Sequence, residues 1–208
     1  MRDIVRLVLA GVIIANYAAT QIYRVAHGEW SVQLDLPMQF CHWAMAVAVV
    51  ALLTGKQTAI ELTFFWVLTG IVQGLISPDT SFRPPHPEFF FFFIWHVAVM
   101  TVPFYLPSLP DGALRRRSSL RAWLWGQIYF ACAIAANALV GGNYGYLMEK
   151  PAPGSLMDLF GPWPYYWLTI QLVAVALFVL LEISYRFTVS RRRPVRRAGS
   201  VENRDVSI

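Results

Sequence analysis

Six apolar stretches divide the chain, at about 4–23, 36–54, 60–77, 89–107, 120–140 and 164–187, with polar or turn-rich segments between them. A membrane-crossing helix needs about 20 predominantly apolar residues, and each stretch approaches or exceeds that length. The pattern predicts an all-α fold: a polytopic membrane helical bundle of about six transmembrane helices over residues 1–187. A basic tail over 188–208, expected to be disordered, follows it. The first stretch is longer than the apolar core of a signal peptide, and no small-residue cleavage site follows it. It is expected to stay as a helix.

Composition agrees with the pattern. Of 208 residues, 57% are hydrophobic and 14% charged, against about 25% charged in soluble domains. The two cysteines, Cys41 and Cys132, lie inside apolar stretches and do not form a secreted disulfide framework. The net charge of +5 comes from arginine clusters beside helices, so no nucleic-acid partner is implied. All lysines and arginines except Arg24, Arg83 and Lys150 fall at the amino end, in the second and fourth loops, or in the tail. That asymmetry places both termini in the cytoplasm. The tail run from Arg191 to Arg197 is a stop-transfer flank compatible with contact to anionic lipid. Glu61 and Glu182, near inner helix ends, are explained by snorkelling or by an arginine partner.

Polar residues gather at the other face. Counting helical rise, Cys41 lies roughly 6 Å in from a helix start at Pro37 and His96 roughly 10 Å in from Phe89. Gln73 and Asn137 each lie about one turn below a helix end. Polar groups in hydrocarbon are costly and usually face the bundle interior or a wet cavity, so four at similar depth suggest a shared pocket. Two loops cap it. One carries Asp79, Arg83 and His86. The other, from Asn143 to Trp163, is the longest connection, and long ordered loops are often functional. Trp163, Tyr165, Tyr166 and Trp167 also match an interfacial aromatic belt.

A thiol near an imidazole suggests nucleophilic catalysis, in which the histidine takes the proton and the thiolate attacks a carbonyl to form an acyl-thioester. Amides such as Asn137, Asn143 or Gln73 are candidate oxyanion donors. The candidate pair is Cys41 with His96. His42 adjoins Cys41 but points about 100° away around a helix, which makes it the poorer base. Taken singly, a membrane cysteine is more often a packing residue, and a membrane histidine more often an interhelical hydrogen-bond partner. Cys132, in a run of small residues, is structural. No tight ligand spacing supports a metal among His86, His96 and Cys41, and no cofactor is expected.

Several segments carry a resemblance. They are Leu36-Pro37-Met38-Gln39-Phe40-Cys41; Phe64-Phe65-Trp66 through Gly74-Leu75-Ile76-Ser77-Pro78-Asp79; and Phe90 through Trp95-His96. Further on come Asn143-Tyr144-Gly145-Tyr146-Leu147, Lys150-Pro151, Ser155-Leu156-Met157-Asp158 and Gly161-Pro162-Trp163-Pro164-Tyr165. Their order and spacing over about residues 16–180 resemble the YwaF-type bacterial integral membrane proteins, which are related to the transmembrane protein 164 acyltransferases. The resemblance implies a polytopic membrane fold and, for the eukaryotic branch, transfer of fatty acyl groups onto lysophospholipids through a cysteine. Cys41 would be the nucleophile and His96 its partner, with Asp79, Asn143 and Asp158 as motif residues of unassigned role. There are three departures: such relatives usually begin with one further helix bearing a histidine, Ser77 replaces the usual Thr, and His42 stands where Asp is common.

The leading expectation is a membrane-embedded acyltransferase or transacylase acting on phospholipid acyl esters through a thioester on Cys41. His96 would assist, and Gln73, Asp79, His86, Asn137, Asn143, Asp158 and Trp163 would support or bind substrate. Its partners would be membrane lipids, a lysophospholipid acceptor among them, and its location a cell membrane, as a multi-pass protein of the bacterial plasma membrane. The rivals are a non-catalytic transporter or lipid-binding membrane protein, and a structural subunit packed against partner helices.

Overall fold

The computed structural model describes residues 2–78, 82–109, 111–151 and 156–191. Among them the chain forms six principal helices and no strand: α1 Arg2–Ala26, α2 Phe40–Thr54, α3 Gln57–Ile76, α4 Pro87–Tyr105, α5 Ser118–Val140 and α6 Tyr166–Arg191. Five are long and apolar enough to cross a membrane; the exception is α2. Its 15 residues rise only roughly 22 Å, against a hydrocarbon core of about 30 Å. The basic tail beyond residue 191 lies outside the described residues, and α6 itself continues past the expected end at 187.

The reason α2 is short lies in the segment before it. Residues 28–39 form turns rather than helix, so Pro37 does not open the helix. Phe40 does, with Gln39 as its cap in extended backbone. The chain therefore reaches α2 as a loop and becomes helical only at Phe40. At the far end, Gly55 closes α2 at φ 63, its amide donating to the Ala51 carbonyl. This left-handed position favours glycine.

α3 is the hub. It packs on α2, α4 and α5, while α1 lies on α2 and α4, and α6 on α5. Correspondingly, 56% of the α3 span is buried, against 11% for α1 and 6% for α6, so the outer helices give most of their surface to lipid. Ala44, Ala48 and Ala51 line the buried face of α2 and pack with Phe65, Trp66, Val67 and Ile71 of α3. Small side chains at this spacing let helix backbones approach closely, which is how helices associate where lipid tails are as apolar as leucine. Within α3, residues Val67–Ile71 form a π turn, a local widening that is frequent at functional sites.

Ion pairs fix one end of the bundle. Glu61 is fully buried and accepts from the Arg115 backbone amide at 3.0 Å and from the guanidiniums of Arg115 and Arg121 at 2.8–3.0 Å. Its carboxylate holds the Arg115 guanidinium above its ordinary value. Glu182 accepts from Arg186, from the Arg117 amide and from Ser119. At this same end Arg6 donates to the Leu52 carbonyl, Tyr105 to that of Arg2 and Arg186 to that of Arg115. The start of α1 and the end of α6 thus share the arginine-rich end. Both glutamates have arginine partners, the second of the two explanations the sequence offers.

Candidate functional site

The opposite end holds the candidate residues, and the loops there are built before the site is. Asn137 is buried one turn before Gly141 closes α5 at φ 68. Its amide group clamps one residue: Nδ2 donates to the Tyr144 carbonyl at 3.0 Å and Oδ1 accepts from the Tyr144 amide at 2.6 Å. Tyr144, itself fully buried, carries the tie onward. Its hydroxyl donates to the Val32 carbonyl at 2.6 Å and accepts from the Leu36 amide at 3.0 Å. Burial pushes the Tyr144 phenol up. Asn143 staples the same loop, accepting from the amides of Met148 and Glu149 and donating to the Glu149 carbonyl. Trp163, more than half exposed, and Trp167 both donate indole N–H bonds to the Leu147 carbonyl. Asn137, Asn143 and Trp163 therefore direct hydrogen bonds to loop backbone, and the two asparagines hold the roof over α2.

A second tie was not foreseen. Arg24, at the end of α1, pairs bidentately with Glu88 of α4 at 3.1 and 2.6 Å and reaches Asp35 of the entering loop at 2.5 Å. Both carboxylates are buried, at 5% and 4% exposure. The sequence shows three isolated charges, 11 and 64 residues apart in the two pairs; only the fold joins them. His86 caps α4 beside this cluster, its Nδ1 accepting from the Glu88 amide while its ring stacks on Phe82 at 4.4 Å. Gln73 is exposed on α3, and Asp158 is exposed in the short 3-10 turn Leu156–Phe160. Asp79 lies outside the described residues.

Cys41 stands in the first turn of α2, half-buried and packed against the main core. The preceding ring, Phe40, is 5.0 Å from Tyr129, a residue roughly 16 Å below the Val140 end of α5 by helical rise. Phe40 is also 5.4 Å from Trp66 and lies over Gly70, where an added Cβ would sit 2.4 Å from its ring. About one turn further along α3, Gly74 does the same for His96: an added Cβ would be 3.3 Å from Nε2. Two glycines four apart on α3 thus receive the residue next to Cys41 and the candidate base. A small-xxx-small spacing is the sequence signal for such an approach.

His96 is 2% exposed, and its Nδ1 lies 2.7 Å from the Phe92 carbonyl. A carbonyl only accepts, so Nδ1 carries the proton and Nε2 keeps its lone pair. That leaves Nε2, the nitrogen facing Gly74, as the basic one. His42 shares the neighbourhood, its ring 5.9 Å from Trp95 and 5.3 Å from Tyr17, with a buried Nδ1 that has no partner. Among the described residues no three His, Cys, Asp or Glu side chains group as metal ligands would. An apolar groove between α5 and α6, lined by Trp123, Val175, Phe178 and Val179, begins at Ser119 near the arginine-rich end, away from these residues.

A thiol, a histidine whose Nε2 keeps its lone pair and a roof of clamped loops thus stand at one end of the helical bundle. No curated protein and no solved structure matches the chain. The TMEM164 family model matches residues 1–182, which takes in every helix but the last turns of α6. By that match the chain belongs to the TMEM164 family, and it is a multi-pass membrane protein.

Proposed function

We propose that this protein is a membrane-embedded acyltransferase or transacylase that acts on phospholipid acyl esters through a thioester on Cys41. The observation that carries the reading is the pair of contacts on α3: Phe40 against Gly70 and His96 against Gly74. They favour bringing the first turn of α2 and the free Nε2 of His96 to one stripe of one helix. In the first half-reaction the Cys41 thiol gives its proton to His96, and sulfur attacks the ester carbonyl of a donor lipid. The carbon–oxygen bond breaks, and the departing lysophospholipid oxygen takes the proton back from the imidazolium. In the second, an acceptor hydroxyl gives its proton to His96 and attacks the thioester. The carbon–sulfur bond breaks and the thiol is restored. Atoms and charges balance with no cofactor.

The arginine asymmetry favours an orientation with both termini in the cytoplasm, which sets this site beneath the non-cytoplasmic headgroups. A multi-pass protein of the bacterial plasma membrane, with membrane lipids and a lysophospholipid acceptor as its partners, fits that orientation. The test is to incubate purified protein with a phospholipid radiolabelled in its acyl chain. Label on the wild type that hydroxylamine removes, and that Cys41→Ala lacks, is the expected result. An unlabelled wild type, or equal label on Cys41→Ala, rejects the covalent mechanism.

A further inference from the structure

The residue that touches the Cys41 turn from α5 is Tyr129, and its hydroxyl has no use in the fold. The side chain is 6% exposed, and its oxygen has no hydrogen-bond partner. The ring is held edge-on by Phe40 at 5.0 Å and by Trp43 at 5.4 Å, the residues on either side of Cys41 and His42. A phenylalanine would make the same ring contacts without burying an idle polar atom. Buried polar groups are paired in the great majority of cases, and each exception calls for an explanation.

Space has been kept for this hydroxyl. Gly145 lies over it at φ 66, and an added Cβ there would fall 2.4 Å from the phenolic oxygen. The Gly145 amide donates to the Gln39 side chain at 3.0 Å. Gln39 is the residue that caps α2. The hydroxyl is thus held at the first turn of α2 with its proton uncommitted.

We infer that Tyr129 is a further catalytic residue: its hydroxyl donates a hydrogen bond to the oxyanion that forms when Cys41 sulfur adds to an acyl ester. This rests on the acyl-transfer reading above. As sulfur bonds to the carbonyl carbon, the carbon–oxygen π pair moves onto oxygen. The phenol donates to that oxygen and keeps its own proton when the carbonyl re-forms and the alcohol leaves. A donor aimed where charge develops in a water-poor site is worth far more than the same donor in water.

The test uses Tyr129→Phe in the full-length protein. Acylation of Cys41 by the radiolabelled phospholipid slows on the order of 100-fold. The variant melts at the wild-type temperature or above it, because an unpaired buried hydroxyl has been removed. Alkylation of Cys41 by a small maleimide, which forms no acyl oxyanion, keeps its rate. Acylation within about twofold of wild type overturns the role. So does a parallel fall in melting temperature, maleimide reactivity and acylation, which is the mark of a packing residue. An unlabelled wild type removes the acyl-transfer reading and this role with it, whereas a labelled wild type beside an equally active Tyr129→Phe sinks the Tyr129 role alone.

Discussion

Gly70→Ala is a sharp test of how the site is assembled. The new methyl would lie 2.4 Å from Cε1 and 2.6 Å from Cδ1 of Phe40, well inside van der Waals contact. Phe40 has little room to yield, since its ring meets Trp66 on one side and Tyr129 on the other. Overpacking of this kind costs about 1–3 kcal/mol. The same substitution removes a helical glycine, which by itself is worth up to about 1 kcal/mol in favour of alanine. Gly126→Ala in α5 carries that second effect alone, because nothing lies within 4 Å of its added Cβ. The difference between the two variants therefore isolates the clash. At about 2–4 °C per kcal/mol for a chain of this size, Gly70→Ala melts roughly 2–12 °C below Gly126→Ala in detergent micelles. Because Phe40 precedes Cys41, Gly70→Ala also changes the maleimide reactivity of Cys41, and Gly126→Ala does not. Phe40→Leu in the Gly70→Ala background recovers much of the lost stability, as coupled neighbours should. Gly70→Ala melting at or above Gly126→Ala refutes the packing account.

Glu61→Gln removes the buried carboxylate but leaves the partly exposed Arg115 and Arg121 guanidiniums in reach of water, and lowers unfolding stability by about 1–2 kcal/mol; denaturant titration in micelles reads it, and a loss under about 0.5 kcal/mol shows the cluster to be idle. Arg24→Met leaves Asp35 and Glu88 buried without a counter-charge and costs about 3–5 kcal/mol, more than Asp35→Asn, which keeps the Glu88 pair; equal losses contradict the bidentate geometry. Asn137→Ala unpairs the amide and carbonyl of fully buried Tyr144, costs about 1–3 kcal/mol, and exposes the chain around residues 143–151 to protease faster than wild type; unchanged cleavage contradicts the clamp.

The helices were legible because each needs only a local run of apolar residues, and the runs at 120–140 and 60–77 fall within a few residues of α5 and α3. The beginning of α2 was not. Leu36 to Gln39 is as apolar as a helix start, but what keeps it non-helical is remote: the Tyr144 hydroxyl takes the Leu36 amide, and the Gln39 side chain takes the Gly145 amide. The same limit hid the Arg24 cluster, whose partner Glu88 lies 64 residues away. Cys41 and His96 were legible as residue types at a plausible depth. Which nitrogen of His96 is basic required the Phe92 carbonyl. Asn137 and Asn143, attractive as amide donors from the sequence, turn out to bond loop backbone.

How each polar group at this end is satisfied separates scaffold from chemistry. Asn137, Asn143, Tyr144 and Arg24 make bonds to backbone or to fixed charges, and their work is to hold the roof and the entering loop. Among the described residues four buried polar atoms lack a partner: Asn16 Oδ1, His42 Nδ1, Ser118 Oγ and the Tyr129 hydroxyl. Ser118 begins α5 at the arginine-rich end. Asn16 and Tyr129 lie roughly 15 and 16 Å along their helices from the ends at Ala26 and Val140, and His42 is the neighbour of Cys41. A membrane interior makes idle polar atoms expensive. A fold that pairs its loop amides so fully leaves two of these atoms, His42 Nδ1 and the Tyr129 hydroxyl, beside the first turn of α2.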